Sequence, residues 1–276
     1  MAILLQRNSR LMGETIQLNN LFKYLNALKQ KYFFLKQSSY SAINWIFGCL
    51  DLSEDDVILD LDCHYADLWL KNDLSLYSSI KVHLIDQNLV NVRLTQEKCS
   101  NKSFNYDVRL MDYQNLQYSA NQFDKVIAKI GFSVMTYDEQ LAMINETWRV
   151  LKKQKNGYYV INENQITRSL DSILNEFDSS IKSFNQFKDN HTALKKHIDS
   201  LFQEVECTSY HSELTISTAA QLMDMYLSVN HPTFVDKIVK AHRSKEFDKF
   251  LAQKIQSDGF ISLDVKFMLL IGKNKI

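Results

Sequence analysis

The spacing of apolar residues predicts helices at the start of the chain and short strands from residue 57 onward. One helical stripe consists of Leu21, Leu25, Leu28, Tyr32 and Leu35, and the apolar spacing resumes at residues 43–47. Residues 57–61 then form a short, continuous apolar run, which is typical of a strand buried on both faces of a parallel sheet. Further runs predict strands at 81–85, 107–111, 123–128, 158–161, 203–212 and 261–271.

Helical segments separate these strands. We predict helices over 66–77, 88–99, 138–151, 165–201, 218–229 and 234–256, with Gly157 ending the segment that follows the fourth strand. Strands that alternate with helices favour a parallel sheet covered on both faces, and right-handed crossovers make it doubly wound. We therefore expect a helical N-terminal extension at 1–50 and an α/β domain at 51–276. Its helical insertions at 165–201 and 218–256 are predicted to cap the ligand site.

Composition narrows the classes of function. With 276 residues and 45% hydrophobic content, the chain can bury the core of one large domain. Thirty-two basic residues balance thirty-two acidic ones, so no global field attracts nucleic acid, and no nucleic-acid partner is expected. No apolar run approaches the roughly 20 residues of a membrane span, and the first residues lack the pattern of a signal peptide. We expect a cytoplasmic protein.

Candidate metal and redox sites are weak. The four cysteines are Cys49, Cys63, Cys99 and Cys207, and they include no C-x-x-C pair, so structural zinc and a disulfide framework are not expected. His64 lies near Asp60, Asp62 and Asp67 in sequence, but strand and helix geometry do not direct these side chains to one point. We predict no metal site. The basic helical segment 234–256 is interpreted as a cap helix with a solvated face rather than a membrane anchor.

Five short motifs occur in order between residues 55 and 163. Residues 58–66, I-L-D-L-D-C-H-Y-A, are similar to a first motif V-L-D-x-G-C-G-x-G, and Leu84-Ile85-Asp86 and Met111-Asp112 follow the next two strands. Residues 123–127 are similar to F-D-x-V, and residues 146–152 to E-x-x-R-V-L-K, with Gly157 in place of a P-G-G turn. Together they resemble the class I S-adenosylmethionine-dependent methyltransferases, in particular the small-molecule branch.

The resemblance implies a fold, a cofactor and a set of residues. The fold is a Rossmann-like, doubly wound, seven-stranded, mostly parallel sheet with an antiparallel last strand. The cofactor is S-adenosylmethionine, whose amino group, ribose and adenine are assigned to Asp60, Asp86 and Asp112. Asp62 and His64 lie in the loop that contacts the cofactor. For a catalytic base the sequence offers only Tyr137 and His64.

The first loop departs from the family pattern. Asp62, His64 and Ala66 stand at the three glycine positions, and Tyr65 adds a second bulky side chain. Glycine permits a close approach of ligand to backbone and a left-handed conformation, which costs other residues on the order of 1–3 kcal/mol each. The loop therefore predicts that ordinary cofactor binding is lost. In that case the three acids cap helices or bind neighbouring loops instead.

Three hypotheses remain open at this point. The first is a methyltransferase-like protein with a degenerate cofactor loop, which acts as a non-catalytic binding or partner subunit for another protein, a second copy or a small molecule. The alternative is an active, divergent small-molecule methyltransferase, because positioning for methyl transfer demands few fixed catalytic residues. In the third, His64 and Tyr65 serve as acid and base in a different reaction.

Overall fold

The computed structural model describes residues 42–63, 65–77, 79–100, 102, 104–130, 135–162, 165–181, 191–228 and 234–273. The predicted helix over 21–35 and His64 lie outside these residues. Of the predicted N-terminal extension, the structure describes helix α1 at 42–49.

The described residues divide into two compact units. The first, called here the α/β unit, contains residues from 42 to 165, 191–212 and 264–273. The second, called the helical unit, contains residues 166–181, 213–228 and 234–263. The domain boundaries and the cap predicted from the sequence stay predictions.

The elements follow one another along the chain in the alternating order that the sequence predicts. They are β1 (Val57–Leu61), α2 (Asp67–Leu70), β2 (Lys81–Asp86), α3 (Leu89–Cys99), β3 (Asn105–Leu110), β4 (Phe123–Ile130), α4 (Tyr137–Val150) and β5 (Leu151–Asn162). The later elements are α5 (Gln165–Phe177), α6 (His191–Leu201), β6 (Glu204–Ile216), α7 (Ala219–Ser228), a π-helical turn (Val235–Val239), α8 (Ser244–Asp258) and β7 (Ile261–Lys273).

The strands form one seven-stranded sheet in the order β3-β2-β1-β4-β5-β7-β6. The first five strands pair in parallel, and β7 runs antiparallel to β5. Ile58, Leu59 and Leu61 of β1 are fully buried, as expected for a central strand covered on both faces. The predicted Rossmann-like, doubly wound sheet with an antiparallel last strand is confirmed.

Local hydrogen bonds explain where the helices of the α/β unit begin. At α4 the Thr136 hydroxyl accepts a hydrogen bond from the Glu139 amide, and the Glu139 carboxylate accepts one from the Thr136 amide, which completes a capping box. At α3 the side chain of Asn88 accepts a hydrogen bond from the Val90 amide at 2.8 Å. Both helices therefore start where a short polar side chain satisfies their first amides.

Three of the predicted helices are shorter than expected. The helix predicted over 66–77 ends at Leu70, because Asp73 accepts a hydrogen bond from the Ser75 amide at 2.9 Å and makes a turn instead. The helix predicted over 165–201 is interrupted after Phe177, where Asp178 makes the same kind of turn with Ser180. The helix predicted over 234–256 divides into the π-helical turn and α8.

Gly157 does not end a helix, so its predicted role was wrong. Helix α4 ends at Val150, and Gly157 lies inside β5, where it pairs with Gly272 of β7. A Cβ atom at Gly157 would lie 3.1 Å from the Phe202 ring, and one at Gly272 would lie 2.5 Å from it. This pair of glycines serves close packing under Phe202 rather than a turn.

The E-x-x-R motif at the end of α4 holds the loop before β4. The Arg149 guanidinium donates hydrogen bonds to the carbonyl oxygens of Leu116 and Tyr118, both at 2.9 Å. Glu146 accepts a hydrogen bond from the Leu116 amide at 2.9 Å and pairs with Arg149 at 2.7 Å. The motif is thus explained by its structural role alone.

The helical unit has an aromatic core. The rings of Tyr226 and Phe234 stack with centroids 4.7 Å apart, and Phe247 meets Tyr226 edge-on at 5.4 Å. Arg243 lies over the Phe177 ring and pairs with Asp178 at 2.6 Å. Within the described part of the chain, no helix has the length and apolar character needed to cross a bilayer.

Candidate functional site

The strand order locates the candidate site. Strands β1, β2 and β3 extend the sheet in one direction, and the chain then returns to place β4 on the other side of β1. Ligands of doubly wound sheets bind at the carboxyl ends of the strands, in the crevice where the order reverses. Here this switch-point crevice lies between the ends of β1 and β4.

An ion pair within the chain bridges the crevice. The Lys129 ammonium from β4 contacts Asp60 Oδ1 at 2.5 Å and donates a second hydrogen bond to the Asp62 carbonyl oxygen at 3.2 Å. The Trp69 indole nitrogen donates to Asp60 Oδ2 at 2.9 Å. The Asp60 side chain is fully buried, whereas 12% of the Lys129 side chain is exposed. Both oxygens of Asp60 thus have donors from the chain itself.

The electrostatics of this cluster keep Lys129 charged. Burial acts to lower the pKa of Lys129, but the attraction of the Asp60 carboxylate and its hydrogen bond outweigh burial, so the pKa lies above its ordinary value. Burial, reinforced by the Asp60 charge, raises the pKa of the Cys63 thiol and keeps it protonated. A protonated, buried thiol is a poor nucleophile.

The loop after β1 keeps a left-handed backbone at two of the positions where the family pattern has glycine. Asp62 and Ala66 both have φ of 57°. Aspartate adopts this region more readily than most residues, whereas alanine is strained there. Lys98 of α3 lies over the ring of Tyr65, 4.7 Å from its centroid. At Asp62 and Ala66 a side chain thus stands on a left-handed backbone where the family pattern has a hydrogen atom.

A tyrosine from the loop after β3, Tyr113, packs at the carboxyl ends of β1 and β2. Tyr113 is 1% exposed, and its hydroxyl donates to Asp62 Oδ1 at 3.4 Å and accepts from the Gln87 amide at 3.3 Å. Burial, together with the Asp62 charge, raises the pKa of Tyr113 and keeps the phenol neutral. Tyr113 thereby connects the ends of β1 and β2.

The two remaining acids differ in accessibility. Asp86 is buried at the start of α3, where its two oxygens accept hydrogen bonds from the Asn88 amide at 2.8 Å and the Asn91 side chain at 3.1 Å. Asp112 is exposed, and its Oδ1 accepts from the Gln87 side chain at 2.9 Å and the Gln114 amide at 3.0 Å. Their assignment to ribose and adenine stays a prediction.

An open groove lies beside Asp112. Its volume is about 430 Å³, and its lining consists of Gln87, Leu110, Met111, Asp112, Gln114 and Gln117. The lining combines three amide side chains with one carboxylate and two apolar side chains. Such a surface offers hydrogen bonds to polar molecules and does not enclose them.

Of the two candidate catalytic residues, the structure describes Tyr137. Tyr137 is the first residue of α4 and packs, half-buried, against the apolar core of the α/β unit. Its role as a base stays a prediction, as does any role of His64. Among the residues that the structure describes, no three His, Cys, Asp or Glu side chains are placed to hold a metal ion.

Lys129, Trp69 and Tyr113 are the residues that sequence reasoning missed. The signal for Lys129 was present, because lysine is almost never buried without a partner and this one stands inside the apolar strand β4. Nothing in the local sequence distinguishes Tyr113 or Trp69 from ordinary core aromatics.

Comparisons with known proteins agree with the fold. Residues 58–154 match the family model of a methyltransferase domain. A putative methyltransferase from Bacillus halodurans is 14% identical, with a TM-score of 0.52 over 86% of this chain and 100% of that one. The [4+2]-cyclase SpnF is 13% identical, with a TM-score of 0.50 over 87% and 83%. No curated protein matches the chain.

A third solved structure contains a protein partner. It is the complex between the Haloferax volcanii Trm112 methyltransferase activator and a putative methyltransferase, with 12% identity and a TM-score of 0.50 over 90% of this chain and 94% of that one. The family match and the sheet topology confirm the resemblance seen in the sequence. Residues 58–154 are thus similar to a methyltransferase domain, and the sheet has the class I fold.

The residues at the end of β1 do not fit the amino-acid end of S-adenosylmethionine. The resemblance assigns the cationic amino group of that cofactor to Asp60, and Lys129 and Trp69 already satisfy both oxygens of Asp60. A second ammonium group in the crevice would meet the positive charge of Lys129. The open groove beside Asp112 has no lysine in its lining and does not repel an ammonium group.

Proposed function

We propose that this chain is a methyltransferase-like protein with a degenerate cofactor site, which acts as a non-catalytic binding or partner subunit. The observation that carries the proposal is the ion pair between Lys129 and Asp60 across the switch-point crevice. Asp60 therefore needs no ligand to neutralise its charge. The fold is kept by packing and by the Arg149 contacts, which do not depend on catalysis.

The neighbours of the same fold differ in the activities and partners that their names describe. SpnF is described as a [4+2]-cyclase, and the Haloferax volcanii protein binds the Trm112 activator. A shared fold does not carry the chemistry of its relatives, because function depends on the residues of the site. We propose that this chain serves in binding, in the cytoplasm, with a small molecule or a protein as its partner.

Calorimetric titration with S-adenosylmethionine and S-adenosylhomocysteine tests the proposal. We expect no binding of either compound in the micromolar range by the full chain. Asp60→Asn serves as the matched variant, because it removes the carboxylate to which the resemblance assigns the cofactor. Micromolar binding that this variant abolishes, together with methyl transfer to any acceptor, would show that the chain is the alternative, an active divergent methyltransferase.

A further inference from the structure

Two lysines of β4, one buried and one 12% exposed, bridge to β1 or to the residue before it, one at each end of the strand pair. Lys125 pairs with Asp56 at 3.1 Å at the amino end, and Lys129 pairs with Asp60 at the carboxyl end. The first pair lies away from the strand ends where ligands bind. The second spans the crevice itself, so its ammonium group also affects what can enter there.

We infer that Lys129 is a specificity-determining residue, which denies the Asp60 carboxylate to any ligand that presents an ammonium group. This inference rests on the proposed function and names the class of ligand that the site rejects. The Lys129 ammonium contacts Asp60 Oδ1 and the Asp62 carbonyl oxygen. An ammonium group that approaches Asp60 would have to compete with Lys129 for these acceptors.

The geometry explains why the exclusion is selective. A cationic ligand must displace Lys129, and the displaced ammonium would then stay in a buried environment without its partner. A neutral ligand in the groove near Asp112 makes no demand on Asp60. The wild type thus keeps free amines and amino acids from Asp60 and leaves the groove accessible.

Replacement of Lys129 by alanine provides the test. Lys129→Ala removes the ammonium and its stem and leaves Asp60 with the Trp69 indole as its donor. Ethylammonium ion, supplied in solution, has the charge and the size to replace what was removed. The matched control is the double variant Asp60→Asn, Lys129→Ala, which lacks the carboxylate that would hold the ion. Sodium chloride at equal ionic strength corrects for general salt effects.

The readout is the midpoint of thermal unfolding. We expect ethylammonium at about ten times its dissociation constant to raise the midpoint of Lys129→Ala by at least about 3 °C over sodium chloride. The wild type and the double variant are expected to shift by less than about 1 °C, on the same scale. A response of the double variant equal to that of Lys129→Ala would overturn the inference.

The remaining outcomes separate this inference from the proposed function. If Lys129→Ala does not respond to ethylammonium, or does not fold in either salt, Lys129 does not hold an ammonium site and the inference fails, while the proposed function stands. If the wild type binds S-adenosylhomocysteine in the same buffers, both the inference and the proposed function fail. If Lys129→Ala folds in ethylammonium and not in sodium chloride, the inference is supported as strongly as by a shifted midpoint.

Discussion

Lys129→Met is expected to destabilise the α/β unit strongly. The substitution keeps the length of the side chain and removes the charge, which leaves the fully buried Asp60 carboxylate without its ammonium partner. Loss of one partner of a buried ion pair costs about 3–5 kcal/mol. For a chain of this length that loss lowers the unfolding midpoint by roughly 6–20 °C. Asp60→Asn, Lys129→Met removes both charges, so we expect it to cost far less than the sum of the single changes.

Tryptophan fluorescence during urea unfolding is the assay. The chain has three tryptophans, and Trp45, Trp69 and Trp148 all lie in the α/β unit, so the signal reports on that unit alone. Lys195→Met is the matched control. Lys195 pairs with Asp199 at 2.8 Å on an exposed helix face, where removal of the pair costs about 0.3–0.5 kcal/mol. If Lys129→Met costs no more than Lys195→Met, the pair is not a buried one and the reasoning is refuted.

Three further predictions concern the scaffold. Arg149→Ala removes two hydrogen bonds to carbonyl oxygens and one ion pair, so we expect it to lower the free energy of unfolding in urea by about 1.5–3 kcal/mol. A loss below about 0.5 kcal/mol would contradict the conclusion that Arg149 stabilises the loop before β4. Burial lowers the pKa of His83, and Asp107 opposes this only in part. The unfolded chain therefore binds a proton first, and stability falls as the pH drops below 6.5. His83→Phe should reduce this slope in unfolding curves between pH 7 and 5, and an unchanged slope would exclude His83 as its source. Gly272→Ala, whose new Cβ would lie 2.5 Å from the Phe202 ring, is expected to cost about 1–3 kcal/mol, and Phe202→Leu in the same chain should recover part of that loss.

The sheet was predictable from the sequence because its signal is local. An apolar run such as residues 57–61 favours a buried strand, and the alternation of strands and helices favours the parallel topology. The helix boundaries that were predicted wrongly depend on competing local hydrogen bonds. Asp73 ends α2 by binding the Ser75 amide, which periodicity alone does not reveal.

The chemistry of the site was only partly predictable. The acids at the strand ends could be named from the motifs, and the loss of glycine at Asp62 and Ala66 was visible in the sequence. The partner of Asp60 was not visible, because Lys129 follows it by 69 residues and reaches it only when β4 lies beside β1. Gly157 was misassigned for the same reason, since its neighbour Phe202 comes from a distant part of the chain.

Nuclear magnetic resonance of the Lys129 ammonium group tests the central claim most directly. With nitrogen-15 in the lysine side chains, an ammonium held by the Asp60 carboxylate and the Asp62 carbonyl oxygen should give a signal protected from exchange with water at neutral pH. Asp60→Asn should remove that protection and identify the signal. A Lys129 ammonium that exchanges as fast as the exposed lysines, unchanged by Asp60→Asn, would contradict the account of a crevice closed by the chain itself.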